Sequence, residues 1–251
     1  MAPAQCQVSS MSSRRLVVQS VIAWALTAAC SGLHAQMIEV QPVNIFLHAG
    51  EQATTLGVTN QAATDTAVQV RAYLWTQKDG VDTLTPTSDL LVSPPIATIP
   101  SHATQIIRLV QRASPAQKEV TYRILVDQIP SAASPGMVRI VLRLSIPVFA
   151  EPMVRANPHD TFRLERRGEM LTLMGTNDGN RHDALHKLEL HAPGGLTLQP
   201  ERGASPYLLQ GSSQHWQMTG GKLPDSVTQV ELSATGVNGT IRETVPVVTA
   251  P

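Results

Sequence analysis

From Gln36 onward the chain is cut into short runs rich in Val, Ile, Leu, Thr or Tyr, each bounded by clusters of Pro, Gly, Asn or Asp. That punctuation constrains the fold more than any other feature. β-branched and aromatic residues suit a pleated, half-buried strand, and the bounding residues supply turns. Helical periodicity is scarce. The runs predict strands at 37–40, 44–47, 54–59, 67–75, 90–93, 96–99, 104–110, 120–128 and 138–149. After Ala150-Glu151-Pro152 breaks the pattern, further strands are predicted at 161–165, 170–175, 184–191, 196–199, 207–209, 214–218, 228–235 and 240–247. Strands at this density predict an all-β chain of two immunoglobulin-like sandwiches.

The 251 residues suffice for two cores of about 100 residues each. Residues 1–35 read as a cleaved signal peptide: Arg14-Arg15, an apolar run from Leu16 to Ala29, and Leu33-His34-Ala35 at the cut. Met11 begins a more ordinary leader than Met1. Leu26-Thr27-Ala28-Ala29-Cys30 resembles a lipoprotein cleavage box, but Thr27 stands where that box takes an aliphatic residue. The predicted organisation is a leader at 1–35, an N-terminal sandwich at 36–150 and a C-terminal sandwich at 151–251. Removal of the leader leaves a secreted chain with no membrane insertion. Both cysteines, Cys6 and Cys30, lie in the leader, so the mature chain has no disulfide, thiolate metal site or cysteine nucleophile. Formal net charge is zero, which removes a global field for nucleic acid.

The most informative segment is 138–148. Val138, Ile140, Leu142, Leu144, Ile146 and Val148 share one face of a strand, and Arg139, Val141, Arg143, Ser145 and Pro147 share the other. A core strand accounts for this pattern. So does an edge strand that offers its apolar row to a partner by strand addition. The loop Ser131-Ala132-Ala133-Ser134-Pro135-Gly136 before it, the two arginines and Pro147 favour the edge. A free edge of this kind also invites pairing between copies of the chain.

Residues from about Met37 to Pro152 resemble the first domain of periplasmic pilus-assembly chaperones of the chaperone–usher pathway, in the branch serving archaic (Csu-like) or spore-coat-type pili. The resemblance is carried by Pro42-Val43-Asn44-Ile45, Gln69-Val70-Arg71-Ala72-Tyr73-Leu74-Trp75-Thr76-Gln77 and Leu91-Val92-Ser93-Pro94-Pro95. It is carried also by Ile107-Arg108-Leu109, Tyr122-Arg123-Ile124-Leu125-Val126-Asp127-Gln128-Ile129-Pro130 and Leu142-Arg143-Leu144-Ser145-Ile146-Pro147-Val148-Phe149. The second half matches weakly, chiefly in Thr176-Asn177-Asp178-Gly179-Asn180. The resemblance implies two sandwiches set at an angle, with the C-terminus of an incomplete immunoglobulin-like pilin held in the cleft between them. It implies donor-strand complementation by Val138, Ile140, Leu142 and Leu144, and delivery of the subunit to an outer-membrane usher.

The better-known branch grips the pilin carboxylate with an Arg and a Lys. Alignment on Glu51 puts Asn44 at the first position, and alignment on Phe149 puts Pro147 at the second. Neither is a cation, so Arg123 and Arg108 become the candidate carboxylate anchors, because a guanidinium binds a carboxylate bidentately. Glu151 stands where that branch has an arginine tying the domains together, which makes Arg155 or Glu119 candidates for a rewired link.

No catalytic constellation is present: there is no Gly-x-Ser-x-Gly elbow and no phosphate or dinucleotide glycine loop. Asp79-Gly80 and Asp82 read as turn residues. His182 and His186 have metal-pair spacing and lie near His191, but the segment reads as loop and strand and the three as surface residues. No cofactor and no metal are expected. Two rivals to the chaperone reading are a periplasmic copper-binding sandwich using Met and His, and an adhesin or carbohydrate-binding pair. The second requires an exposed aromatic platform, whereas aromatics are 4% of the chain and Trp75 reads as core.

Overall fold

The computed structural model describes residues 38–112, 117–130 and 140–249. The leader, Val138 and both cysteines lie outside the described residues. The described chain is all-β, as the punctuation predicts. The first half holds β1 (Ile38–Gln41), β2 (Ile45–Leu47), β3 (Ala53–Asn60), β4 (Thr66–Lys78), β5 (Val81–Pro86), β6 (Leu90–Ser93), β7 (Ile96–Ile99), β8 (Thr104–Gln111), β9 (Val120–Ile129) and β10 (Arg143–Ala150). They form two sheets, in the orders β1-β3-β8-β6 and β2-β10-β9-β4-β5, with β7 also on β4. Alternation packs the sheets together: Leu56, Val58, Ile107 and Leu109 from one meet Ile124, Val126, Ile146 and Val148 from the other.

The second half holds β11 (Asp160–Arg167), β12 (Met170–Asn177), β13 (Asp183–Ala184), β14 (His186–Ala192), β15 (Leu196–Pro200), β16 (Tyr207–Leu208), β17 (Ser212–Thr219), β18 (Gln229–Gly236) and β19 (Gly239–Thr249). Seven of these close on themselves in the order β11-β12-β17-β15-β14-β18-β19 around a separate core that includes Leu164, Leu173, Leu190 and Trp216. Closure follows from two strands that serve both layers. β15 pairs β14 through Leu196–Leu198 and β17 through Gln199 and Pro200, while β11 pairs β12 throughout and β19 through Leu164–Arg166.

Three strand expectations need correction. Among the described residues, the strand expected at 138–149 is paired from Arg143 onward, although β9 runs on to Ile129; Leu142 keeps a backbone bond from Gln128 N. The strand expected at 184–191 is broken: β13 pairs β16, while β14 pairs β18 through a register shift between His186 and Glu189, with Lys187 at φ 52°. A further strand, β5, follows a tight hairpin in which Asp79 and Gly80 take φ of 50° and 75°, the conformation that Asp-Gly favours.

Candidate functional site: an open strand edge above a cleft

β10 pairs β9 along its whole length, but β2 covers its other flank only from Val148 to Ala150. Leu142 O accepts from Gln128 N at 3.0 Å, and Leu142 N donates to Gln128 Oε1 at 3.4 Å. Alternation along an antiparallel strand then turns the N–H and C=O groups of Arg143 and Ser145 toward the uncovered flank. Pro147, next in that series, has no N–H to leave there. The apolar row is graded. Ile146 and Val148 belong to the core, Leu144 and Leu142 pack half-buried against it, and Ile140 is 86% exposed. The ridge is therefore neither enclosed by its own sheet nor detached from it.

The opposite face of this sheet carries charge. Arg143 and Arg71 both bond the Asp127 carboxylate, the latter at 2.6 Å. Burial pulls the Asp127 carboxyl upward, but the two guanidinium groups outweigh it and hold it below the ordinary range. The second arginine of the ridge segment thus ties β10 to β9 and β4 rather than standing free.

One step further down the same face lies Arg123. Its guanidinium sits 3.7 Å over the Trp75 ring and 5.3 Å from the centre of Tyr207, a residue of the second sandwich. Desolvation lowers its pKa, with Tyr207 and Asp82 acting in the opposite sense. No ion pair among the described residues includes it. In register, Arg123 stands directly across from Pro147, the position at which alignment predicted a missing lysine. Arg123 thus lies one strand away from the position of the absent lysine. Asn44, at the position of the missing arginine, immediately precedes Ile45, which pairs Val148. Asn44 Oδ1 accepts a hydrogen bond from the Tyr207 hydroxyl at 3.2 Å. Arg108 lies elsewhere: it is exposed on β8, opposite Thr55 and Ser93 in the other sheet, and is not brought to Arg123.

Several contacts join the two sandwiches at the base of this cleft. Trp75, Phe149 and Leu209 form a small buried cluster with Tyr207 against it, so Trp75 is buried where the sandwiches meet and not inside one of them. Gln77 Nε2 donates to Tyr207 O at 2.9 Å, and Gln77 Oε1 accepts from Leu209 N at 2.8 Å. Glu119 Oε1 accepts from the backbone N of His182 at 3.1 Å and meets its Nδ1 at 2.7 Å. The His182 ring stacks on Phe149 at 3.6 Å and 9°. The surface reading fails for His182, which is 2% exposed; His186 and His191 are exposed. Glu151 pairs Arg181 at 3.4 Å and His48 at 3.2 Å, so an acid occupies the linking position with a basic partner opposite. Of the two expected substitutes, Glu119 joins the link, whereas Arg155 contributes its carbonyl to Asn180. Sequence reasoning missed Gln77, Tyr207 and His182 as linkers. The one available signal was that Trp75 and Gln77 share a face of β4.

Comparison with known proteins agrees with this geometry. Residues 37–155 match the family model described as pili and flagellar-assembly chaperone, PapD N-terminal domain. Comparison with curated protein sequences finds no match. Among solved structures, the chain is similar to a chain of the CsuC–CsuE chaperone–tip adhesion subunit pre-assembly complex from archaic Csu pili of Acinetobacter baumannii. That similarity has a TM-score of 0.61 and 22% identity, covering 86% of this chain and 100% of that one. It is similar also to the YadV chaperone, with a TM-score of 0.60 and 17% identity over 83% and 98% of the two chains. A third match is to a chain of the Salmonella enterica SafA pilin–SafB chaperone complex, with a TM-score of 0.59 and 16% identity over 85% and 99%.

Proposed function

We propose that this chain, whose residues 37–155 match the pili and flagellar-assembly chaperone family model, holds pilin subunits by lending them the open flank of β10 and passes them to an outer-membrane usher. The observation that carries this reading is the flank of β10 between Arg143 and Pro147, which no strand of the described residues covers. Strand addition, the mode by which chaperones of this kind hold pilins, satisfies such an edge with main-chain bonds and fixes register through alternate side chains. In the similar solved complexes a chaperone is bound to a tip adhesion subunit or to a pilin, which supports a pilin partner here.

In this reading residues 36–150 are the pilin-binding domain and 151–251 the second immunoglobulin-like domain, and the mature chain works in the periplasm after loss of residues 1–35. The donor row is Val138, Ile140, Leu142 and Leu144. Burying one such aliphatic side chain contributes about 1.5–3 kcal/mol. Ile140 has most to gain, since Leu142 and Leu144 are already half-buried. Arg123 is the anchor for the pilin's terminal carboxylate, supported by its position across from Pro147, its stacking on Trp75 and its lack of an acidic partner. Arg108, remote from that cleft, is the weaker candidate. Catalysis plays no part. The match to the pilus chaperone family model does not favour the copper and adhesin readings, and Trp75 is buried rather than part of an exposed aromatic platform.

Co-purification from periplasmic extract tests the function. Tagged chaperone should bring down a pilin subunit identified by mass spectrometry, and an extract yielding the chaperone alone from a piliated strain would count against the reading.

A further inference from the structure

The cleft contains a neutral hydrogen-bonding group whose orientation is fixed from the other sandwich. Asn44 is exposed, so its amide is accessible to a visitor. Its Oδ1 accepts the proton of the Tyr207 hydroxyl, which commits that oxygen and leaves both hydrogens of Nδ2 to donate elsewhere. Tyr207 is itself held: its carbonyl accepts from Gln77 Nε2, its ring packs edge-on to Trp75 at 5.3 Å, and Arg123 lies beside it. Asn44 immediately precedes Ile45, which pairs Val148 at the start of β2, and so comes next to Pro147 on the side of β10 opposite Arg123. Asn44, just before β2, and Arg123, on β9, thus flank Pro147 of β10, and Tyr207 reaches both: its hydroxyl bonds Asn44 and its ring lies 5.3 Å from the Arg123 guanidinium.

We propose that Asn44 Nδ2, aimed by the Tyr207 hydroxyl, is a second donor to the terminal carboxylate of the bound subunit, acting beside Arg123. This rests on the carboxylate-anchor reading given above and adds to it one ligand-touching residue, Asn44, and one positioning residue, Tyr207, contributed by the second sandwich. Chemically the site is a monocationic clamp: one guanidinium and one amide divide the two oxygens of a carboxylate. A single cation neutralises the ligand, and the amide supplies direction without adding charge. The rim closes only when Tyr207 is seated, so carboxylate recognition depends on contact between the two sandwiches.

The test uses the mature chain and a fluorescein-labelled twelve-residue peptide of alternating Val and Thr, made once with a free terminal carboxylate and once as the amide. Fluorescence anisotropy should show tighter binding of the acid by the parent protein. Asn44→Ala and Tyr207→Phe should each weaken acid binding about ten- to a hundredfold while leaving the amide unchanged, as expected for loss of one charge-assisted hydrogen bond. The double variant should lose no more than either single one, because both remove the same contact. Asn44→Asp, which places a carboxylate beside Pro147, should abolish preference for the acid, and Asn44→Arg should restore it. Equal affinity of Asn44→Ala and the parent for the acid, with the parent still preferring acid over amide, overturns this inference and leaves the Arg123 anchor standing. A parent that does not distinguish acid from amide overturns both.

Discussion

A guanidinium lying flat on an indole is poorly placed to leave its site, and Arg123 is so held by Trp75 and Tyr207. Its head keeps hydrogen-bonding capacity that no carboxylate of the described residues takes up. Arg123→Ala should therefore weaken pilin capture by about ten- to a hundredfold, the range for a hydrogen bond to a charged group. Arg108→Ala should leave capture unchanged, because that side chain projects from the other sheet; affinity measured with purified pilin separates the two. The second sandwich holds a different kind of site. Both Asp160 carboxyl oxygens are shielded from solvent, next to Asp183 and Glu243. Burial, reinforced by Asp183 and Glu243, pushes the Asp160 carboxyl up to about 8. In the unfolded chain it titrates near 4, so between about pH 4 and 8 the folded state binds the extra proton and stability falls as pH rises. Asp160→Asn should raise the melting temperature at pH 8.5 and have little effect at pH 5. An equal shift at both pH values contradicts that assignment.

At the scale of the element, β10 is a strand with two regimes. Its C-terminal half is flanked on both sides and its N-terminal half on one. Ile140→Arg should abolish capture while changing stability by less than about 0.5 kcal/mol, because Ile140 is already in solvent. Leu142→Arg should abolish capture and also lower the melting temperature, since Leu142 packs on the core. Normal pilin accumulation with either variant contradicts the donor assignment. Period-2 alternation made most strands of the first sandwich legible from sequence, including this ridge and its graded companions Ile146 and Val148. β5 was not legible that way, because every residue of Val81–Pro86 is exposed and no alternation marks it. Only the Asp-Gly turn announced it. The break between β13 and β14 was likewise hidden, because Leu185 and Leu188 are both buried and continue the apolar run across it.

The whole molecule depends on polar contacts between sandwiches whose members are far apart in sequence. Gln77 meets Tyr207 and Leu209 across 130 and 132 positions, and Glu119 meets His182 across 63. Periodicity reports which face of a strand is buried, but not what buries it, so these partners were not legible. The Glu151 substitution was legible as a departure, and its partner Arg181 was not. Gln77→Ala leaves Leu209 N–H and Tyr207 C=O without their partner in a buried seam. It should cost about 1–3 kcal/mol, read by denaturant unfolding, and should loosen the cleft. Gly80 adds a steric constraint to the same seam. Its φ is 75°, and a Cβ there would stand 2.5 Å from the His215 ring of the second sandwich.

The account turns on whether the uncovered flank of β10 is what a subunit pairs with. Amide hydrogen exchange at Arg143 and Ser145, compared between free chaperone and its purified pilin complex, measures this directly. Strand addition predicts fast exchange in the free protein and strong protection in the complex. Unchanged exchange at both amides in a saturated complex would mean that the subunit is held by some other surface.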